Sequence, residues 1–368
     1  MGIWRSALES VGQMMKDVSF YKNKRVFLTG HTGFKGSWLA KILIDAGAEV
    51  TGYSLPAPTE PALFSLAGIE KEMHSVIGDV RDFEHLTKTF REAKPEVVLH
   101  LAAQPIVRES YRDPHGTYET NVMGTVNLLE CVRQSDTVQS VLNVTTDKVY
   151  QNKEWCWGYR ENEPLDGYDP YSNSKSCSEL VTHSYAKSFL VEQGIAVSTA
   201  RAGNVIGGGD FAQDRIVPDC IRAAIAGETI QVRNPNSTRP YQHVLEPLFA
   251  YLMIAAEQAE HHELAGWYNV GPDECDCLTT GNLVDLFCRA WGDGLAWETH
   301  MAKGPHEANF LKLDCSKIKS MFQWQPTWHI GEAIEKTVEW AKAWQAKEDI
   351  ATVMEHQIKD FVHTGMKG

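Results

Sequence analysis

Six short apolar runs alternate with helical patterns between Lys24 and Ile206, and this alternation limits the fold more than any other feature of the chain. The runs cover residues 25–29 (RVFLT), 49–54 (EVTGYS), 74–79 (HSVIGD), 97–102 (VVLHLA), 140–146 (SVLNVTT) and 196–206 (AVSTARAGNVI). Each is short and apolar, with many β-branched residues, as strands buried on both faces are. Helical patterns fall between them, among them residues 36–47, 117–134 and 171–190. Such a rhythm predicts an α/β fold: a doubly wound parallel sheet with right-handed crossovers.

After Asn204 the rhythm changes. Gly207-Gly208-Gly209 opens a loop. A helix near 216–226, a strand over 229–233, a helix over 244–259 and an amphipathic helix over 331–345 follow. This half is read as a smaller C-terminal lobe closing over the sheet edge, with substrate held between lobe and sheet at the carboxyl ends of the strands. The expected division is an N-terminal extension (1–22), a cofactor-binding domain that also carries the catalytic residues (23–206), and a mainly substrate-binding lobe (207–368) from which segments can return to the sheet. There is no internal repeat and no low-complexity linker.

At 368 residues and 43% hydrophobic, the chain can bury a large core. Its 35 Lys+Arg against 48 Asp+Glu give a formal charge of -13. That argues against nucleic acid or an anionic membrane as partner, since both need a basic face, but a local basic patch can still hold an anionic small molecule. The eight cysteines are scattered, and only Cys275 and Cys277 are close. Their spacing lacks the second ligand pair of a zinc site, so no metal is expected, and the cysteines read as reduced thiols. No stretch reaches the length of a membrane span, and the first twenty residues carry acids and no continuous apolar run, unlike a secretory signal. A cytoplasmic protein is expected.

The chemistry concentrates in three motifs. Gly30-His31-Thr32-Gly33-Phe34-Lys35-Gly36 lies directly after the first strand and before a helix. Glycines there let the backbone turn tightly and approach a pyrophosphate resting on the helix N-terminus. The second strand ends Tyr53-Ser54-Leu55, with neither the acid that holds an NAD ribose nor the Arg that welcomes a 2′-phosphate; NAD is favoured because no basic residue is present. Asp79 either accepts from an adenine amino group or caps the helix after Arg81.

The second motif is Asp169-Pro170-Tyr171-Ser172-Asn173-Ser174-Lys175. Asp169 suits the N-cap and Pro170 the first helical position, and Tyr171 and Lys175 share one helix face. A cation alongside, with the positive helix end, is expected to lower the tyrosine pKa and suit it as a general base for a sugar hydroxyl. The third motif, Asn143-Val144-Thr145-Thr146-Asp147-Lys148, ends the fifth strand and points a polar cluster at the crevice.

From Lys24 to about Trp344 the chain resembles the nucleotide-sugar branch of the extended short-chain dehydrogenases/reductases. The phrases that carry the likeness are TGHTGFKGSWL (29–39), HLAAQPIVRESY (100–111), TNVMGTVNLLE (120–130), NVTTDKVYQNKEW (143–155), DPYSNSKSCSELV (169–181) and RPYQHVLEPL (239–248). Within that branch they are most similar to 4,6-dehydratases acting on CDP-glucose. The resemblance implies a Rossmann-type sheet, NAD as cofactor, a nucleotide-sugar substrate and a homo-oligomer, dimer or tetramer. It implies oxidation at C4, loss of water across C5 and C6, and return of hydride to C6. In that scheme Tyr171 takes the 4-OH proton, Thr146 holds the 4-oxygen, Asp147 protonates the departing 6-hydroxyl, and Lys175 holds the nicotinamide ribose and tunes Tyr171. Cofactor contacts are implied at Gly30, Thr32, Gly33, Phe34, Lys35, Gly36, Asp79, Val80, Leu101, Ala102, Ala103, Thr145, Tyr171 and Lys175. Substrate contacts are expected at Gln104, Asn204, Arg215 and Arg239, since guanidinium forks suit phosphate.

The related dTDP-sugar enzymes carry Thr-Asp-Glu where this chain has Thr146-Asp147-Lys148, and their Glu is the C5 base. Lysine matches the CDP-sugar subgroup. A protonated lysine cannot accept a proton, which leaves the C5 base open: Lys148 acts there as a base or as a cation steadying the enolate. A nucleotide-sugar 4-epimerase or simple oxidoreductase is the alternative enzyme, for which Tyr171 and Lys175 suffice. A non-catalytic NAD-sensing protein would have no need of the intact Thr146, Tyr171 and Lys175 set.

Overall fold

A computed structural model describes residues 18–299 and 310–365, so most of the N-terminal extension lies outside the described residues. Seven strands form the central sheet: β1 (Arg25–Thr29), β2 (Glu49–Ser54), β3 (His74–Ile77), β4 (Val97–His100), β5 (Ser140–Thr146), β6 (Ala196–Ala202) and β7 (Trp267–Val270). All pairings are parallel, in the order β7-β6-β5-β4-β1-β2-β3. The strand order turns back between β1 and β4, where a crevice opens outside the carboxyl ends. Every residue of β5 and β6 is buried, which explains why neither shows the apolar–polar alternation of a half-exposed strand.

The helices that place the site are α1 (Phe34–Asp45), α2 (Phe83–Ala93), α3 (Gly124–Arg133), α4 (Pro170–Tyr185), α5 (Leu245–Glu260) and α6 (Ile330–Gln345). As expected, α4 starts with Asp169 accepting from Ser172 N at 2.9 Å and Pro170 in its first turn. Three strands stop short of the sequence expectation, at Ile77, His100 and Ala202. The residues just beyond them, including Asp79, Leu101 and Asn204, leave the sheet and line the crevice.

The second half of the chain divides between sheet and lobe. Helix α5, with 13 of its 16 residues buried, lies on the sheet. Ser140 Oγ donates to Ala255 O at 2.7 Å and Gln258 Nε2 donates to Val141 O at 3.0 Å. The chain then adds β7 beside β6, a strand absent from the sequence reading. The lobe has its own core, with Val217, Ile221, Phe287, Ile334 and Val338 among its members.

Lobe and sheet are clasped at the glycine run. Trp38 of α1 is fully buried and its Nε1 donates to Gly208 O at 2.9 Å. A Cβ on Gly208 would fall 1.9 Å from the Trp340 ring of α6. Phe211, two residues beyond the run, packs edge-on against Trp344 with ring centroids 4.9 Å apart. Among the described residues no helix is long and apolar enough to cross a membrane.

Candidate active site

A cleft of about 1210 Å³ opens between sheet and lobe. Its sheet side carries the glycine loop with Asp79, Val80, Leu101, Ala102 and Ala103; its lobe side carries Asn204, Arg215 and Arg239; Thr145, Thr146, Lys148, Tyr171 and Lys175 lie between.

The glycine loop is shaped by close approach. Gly30 has φ +77°, and a Cβ there would meet Ala102 N at 2.8 Å. A Cβ on Gly36 would fall 2.0 Å from Gly30 O. Gly33 is the N-cap of α1 and supplies no side-chain cap, so the helix end stays open for an anion. The loop therefore fits the diphosphate of a dinucleotide. Thr32 Oγ1 is engaged inside the protein, 2.9 Å from Ser54 Oγ and donating to Leu55 O at 2.9 Å. Tyr53 is buried, with its hydroxyl donating to Asp79 O at 3.1 Å. The Asp79 carboxylate binds Arg81, which holds it below the usual carboxylate range. It does not cap the following helix. Asp82 does, accepting from His85 N at 3.0 Å, because it stands directly before α2.

At the end of β5 the alternation of a strand sends neighbouring hydroxyls to opposite sides. Thr145 lines the cleft, but its hydroxyl donates to buried Glu179. Thr146 is hydrogen-bonded to Tyr171 and donates to Asp147 Oδ1 at 2.9 Å. The same Asp147 oxygen accepts from Lys148 Nζ at 2.9 Å, and Lys148 also reaches Asn204 Oδ1 at 3.4 Å. Four predicted residues thus form one hydrogen-bonded run, Tyr171–Thr146–Asp147–Lys148. Asp147 is buried behind the cleft wall.

The expectation that Lys175 lowers the Tyr171 pKa is corrected. Burial pushes the phenol up to about 12, assisted by Asp147, while Thr146 and Arg215 pull the other way. Lys175 is itself buried and donates to Val144 O at 2.9 Å. Burial lowers its ammonium to about 8, with the Glu179 carboxylate opposing.

Arg215 pairs with Asp210 at 3.0 Å and faces Tyr171. Arg239 is buried and donates to Thr238 O at 3.0 Å. Gln104 is not among the residues lining the cleft. Its Nε2 donates to Thr117 Oγ1 at 2.9 Å and its Oε1 accepts from Ile106 N at 2.6 Å, so it braces the turn after β4. Cys275 and Cys277 also lie outside the cleft lining.

The pattern of the family described as GDP-mannose 4,6 dehydratase matches residues 27–337. The chain belongs to this family. It is 49% identical over 357 residues to a CDP-glucose 4,6-dehydratase of Salmonella typhimurium, covering 95% of this chain and 99% of that protein. Two solved structures share the fold. A dTDP-glucose 4,6-dehydratase of Bacillus anthracis in complex with NAD has a TM-score of 0.72 at 21% identity, covering 89% of this chain and 99% of that one. A UDP-glucose 4-epimerase of Thermotoga maritima with UDP-glucose has a TM-score of 0.73 at 22% identity, covering 87% and 99%.

Two features of this family member were not read from its motifs. The Lys35 side chain, grouped with the glycine loop, joins Lys148, Lys175 and Arg215 in one cationic cluster. Burial, then repulsion from Arg215 and Lys175, lowers it to about 7. The lobe wall of the cleft includes Gln231, Arg233 and Asn234, with Arg233 paired to Asp214 at 2.5 Å. A signal for these was present: the run 229–233 (TIQVR) ends on Arg233, with Asn234 next, at the carboxyl end of a strand.

Proposed function

We propose that this enzyme converts CDP-glucose to a CDP-4-keto-6-deoxy sugar and water, with NAD held in the glycine-loop half of the cleft. The observation that carries the reading is the hydrogen-bonded run from Tyr171 to Lys148, which sets acid–base groups for oxidation and for elimination side by side. The near-full-length likeness to the Salmonella enzyme supports CDP-glucose as substrate.

What NAD supplies when bound is reversible hydride storage. Everything else is the work of side chains. Tyr171 takes the proton of the 4-hydroxyl, and Thr146, bonded to it, holds the 4-oxygen. As Tyr171 takes the substrate proton, its own can pass through Thr146 Oγ1 to Asp147, which has no face on the cleft and returns it through the cleft-lining Thr146 hydroxyl to the departing 6-hydroxyl. Lys148 acts at C5. With its ammonium held by Asp147 and Asn204, its role is the cation that steadies the enolate. Lys175 holds the nicotinamide ribose. Arg215 and Arg239 hold the diphosphate and nucleotide. The chain works in the cytoplasm as a homo-oligomer, dimer or tetramer. Exposed Met123 and Leu180, on helical segments that pack against each other, are in keeping with such an assembly.

Incubating the purified protein with CDP-glucose is expected to yield a 4-keto sugar nucleotide, seen by its absorbance in alkali, without net consumption of NAD. Stoichiometric reduced cofactor would indicate an ordinary dehydrogenase, and a C4 epimer the epimerase alternative.

The cofactor preference follows from the end of β2. With no carboxylate there to hold a ribose and no cation to hold a 2′-phosphate, stripped protein is expected to bind NAD in preference to NADP, and to hold it weakly. Titration with both cofactors tests this; tighter binding of NADP would overturn it.

A further inference from the structure

Beneath the cleft floor lies an ion pair that touches no reacting group. Glu179 follows Lys175 by one helical turn on α4, on the face turned toward β5 and β6. Its side chain is fully buried. Oε2 accepts from Thr199 Oγ1 at 2.7 Å and from Arg201 Nη2 at 2.8 Å, with His183 Nε2 at 3.2 Å. Oε1 accepts from Thr145 Oγ1. Arg201 is as buried as its partner, and its Nη1 donates to the Tyr150 hydroxyl at 2.8 Å, which donates to Asn269 Oδ1 on β7 at 2.6 Å. The pair therefore links the catalytic helix to three strands.

A buried ion pair is a poor device for stability alone, since an apolar pair of similar volume holds a helix to a sheet at least as well. A buried charge next to a second buried charge does something an apolar pair cannot. Lys175 has lost its water, and its hydrogen bond goes to the neutral Val144 carbonyl. The titratable and charged groups around it are Tyr171 and Glu179 on its own helix, His100 at the end of β4, Lys35 at the start of α1, Asp147 and Lys148 after β5, Arg215 from the lobe, and Arg201 behind the Glu179 carboxylate. Burial keeps His100 neutral, near 3, and Lys35 repels. Glu179 supplies the charge that holds the Lys175 proton. Although burial drives the Glu179 carboxyl up, Arg201, His183 and Thr145 bring it down to about 2, so it stays ionised.

We propose that Glu179 is a positioning residue for the Tyr171–Lys175 pair, keeping Lys175 cationic at neutral pH while anchoring α4 to β5 and β6. The proposal rests on the function above through the use made of Lys175, but Lys175 titrates whether or not any sugar nucleotide turns over. Competitive labelling with trace acetic anhydride across a pH series, read by mass spectrometry of the Lys175 peptide, gives its midpoint directly. Glu179→Gln is expected to displace that midpoint to lower pH by about one unit or more. Because Lys175 is charged below its midpoint, the loss of turnover in Glu179→Gln is expected to be deeper on the alkaline side, with KM for CDP-glucose little changed. Thr199→Val removes a hydrogen bond from the same carboxylate but no charge, and is expected to leave the midpoint in place.

Glu179→Gln strands the Arg201 charge and can cost the fold. The double variant Glu179→Gln/Arg201→Gln avoids this and is expected to move the midpoint the same way. An unmoved midpoint in the folded variants, or a pH-independent loss of turnover, would overturn the proposal. A wild-type protein inert toward CDP-glucose would instead sink the proposed function and leave the Lys175 titration to decide this question.

Discussion

Tyr171→Phe is expected to lower the first hydride transfer by about a thousandfold or more, while dinucleotide binding stays near wild type. The phenol oxygen is the atom removed. It is the proton acceptor for the 4-hydroxyl and the start of the run through Thr146 to Asp147. The ring is half-buried and still packs, and Thr146 keeps its bond to Asp147, so the lesion is confined to proton transfer. Single-turnover absorbance of the reduced cofactor measures the step, and calorimetric titration with NAD measures binding. A rate close to wild type would show that another group takes the proton; a collapse of NAD binding would show that the ring, not the hydroxyl, matters.

Lys148→Met is expected to separate oxidation from elimination. Lys148 bonds to Asp147 and Asn204 at the lobe side of the run, away from the Lys175 contact with Val144. Its loss leaves Tyr171 and Lys175 in place for the oxidation. It removes the cation at C5 and the partner of a buried carboxylate. Removing one fixed electrostatic contact of this kind costs roughly a hundredfold to a thousandfold in rate. Mixed with CDP-glucose, the variant is expected to form reduced cofactor that persists, with little solvent deuterium entering C5. Failure to form reduced cofactor would assign Lys148 to binding. Normal exchange at C5 would place that chemistry elsewhere.

The features legible in the sequence were those with local causes. The glycine loop, the Asp169-Pro170 start of α4 and the Tyr171–Lys175 spacing each depend on a few consecutive residues, and each lies where its pattern put it. Alternation of apolar runs gave six strands, although three end earlier than their apolar character suggests, because the chain must leave the sheet to reach the cleft. The seventh strand was not legible: Trp267–Val270 is four residues long, and its partner β6 lies some seventy residues earlier. Asp79 reads as a possible cap, but α2 starts at Phe83, and that start, which puts Asp82 at the cap, is not fixed by the local sequence. Gln104 sits in a phrase that carries the family likeness, yet its side chain turns back to Thr117. The tyrosine pKa was misjudged because spacing reports which charges are near but not how much water has been removed. Glu179 and Arg201 meet through folding and have no local signature.

The clasp at Gly208 bears on how molecules get in and out. Trp38 grips the backbone of the glycine run from the sheet side, and the Trp340 ring leaves no room for a side chain on its other flank. Densely packed aromatic contacts of this kind resist opening more than loops do. The wall of the cleft at Gly207–Gly209 is therefore its stiffest part, since the run cannot shift without breaking the packing on Trp38 and Trp340 together. Any widening of the cleft that admits a ligand has to come from its other lining segments, with this run as the fixed side of the entrance.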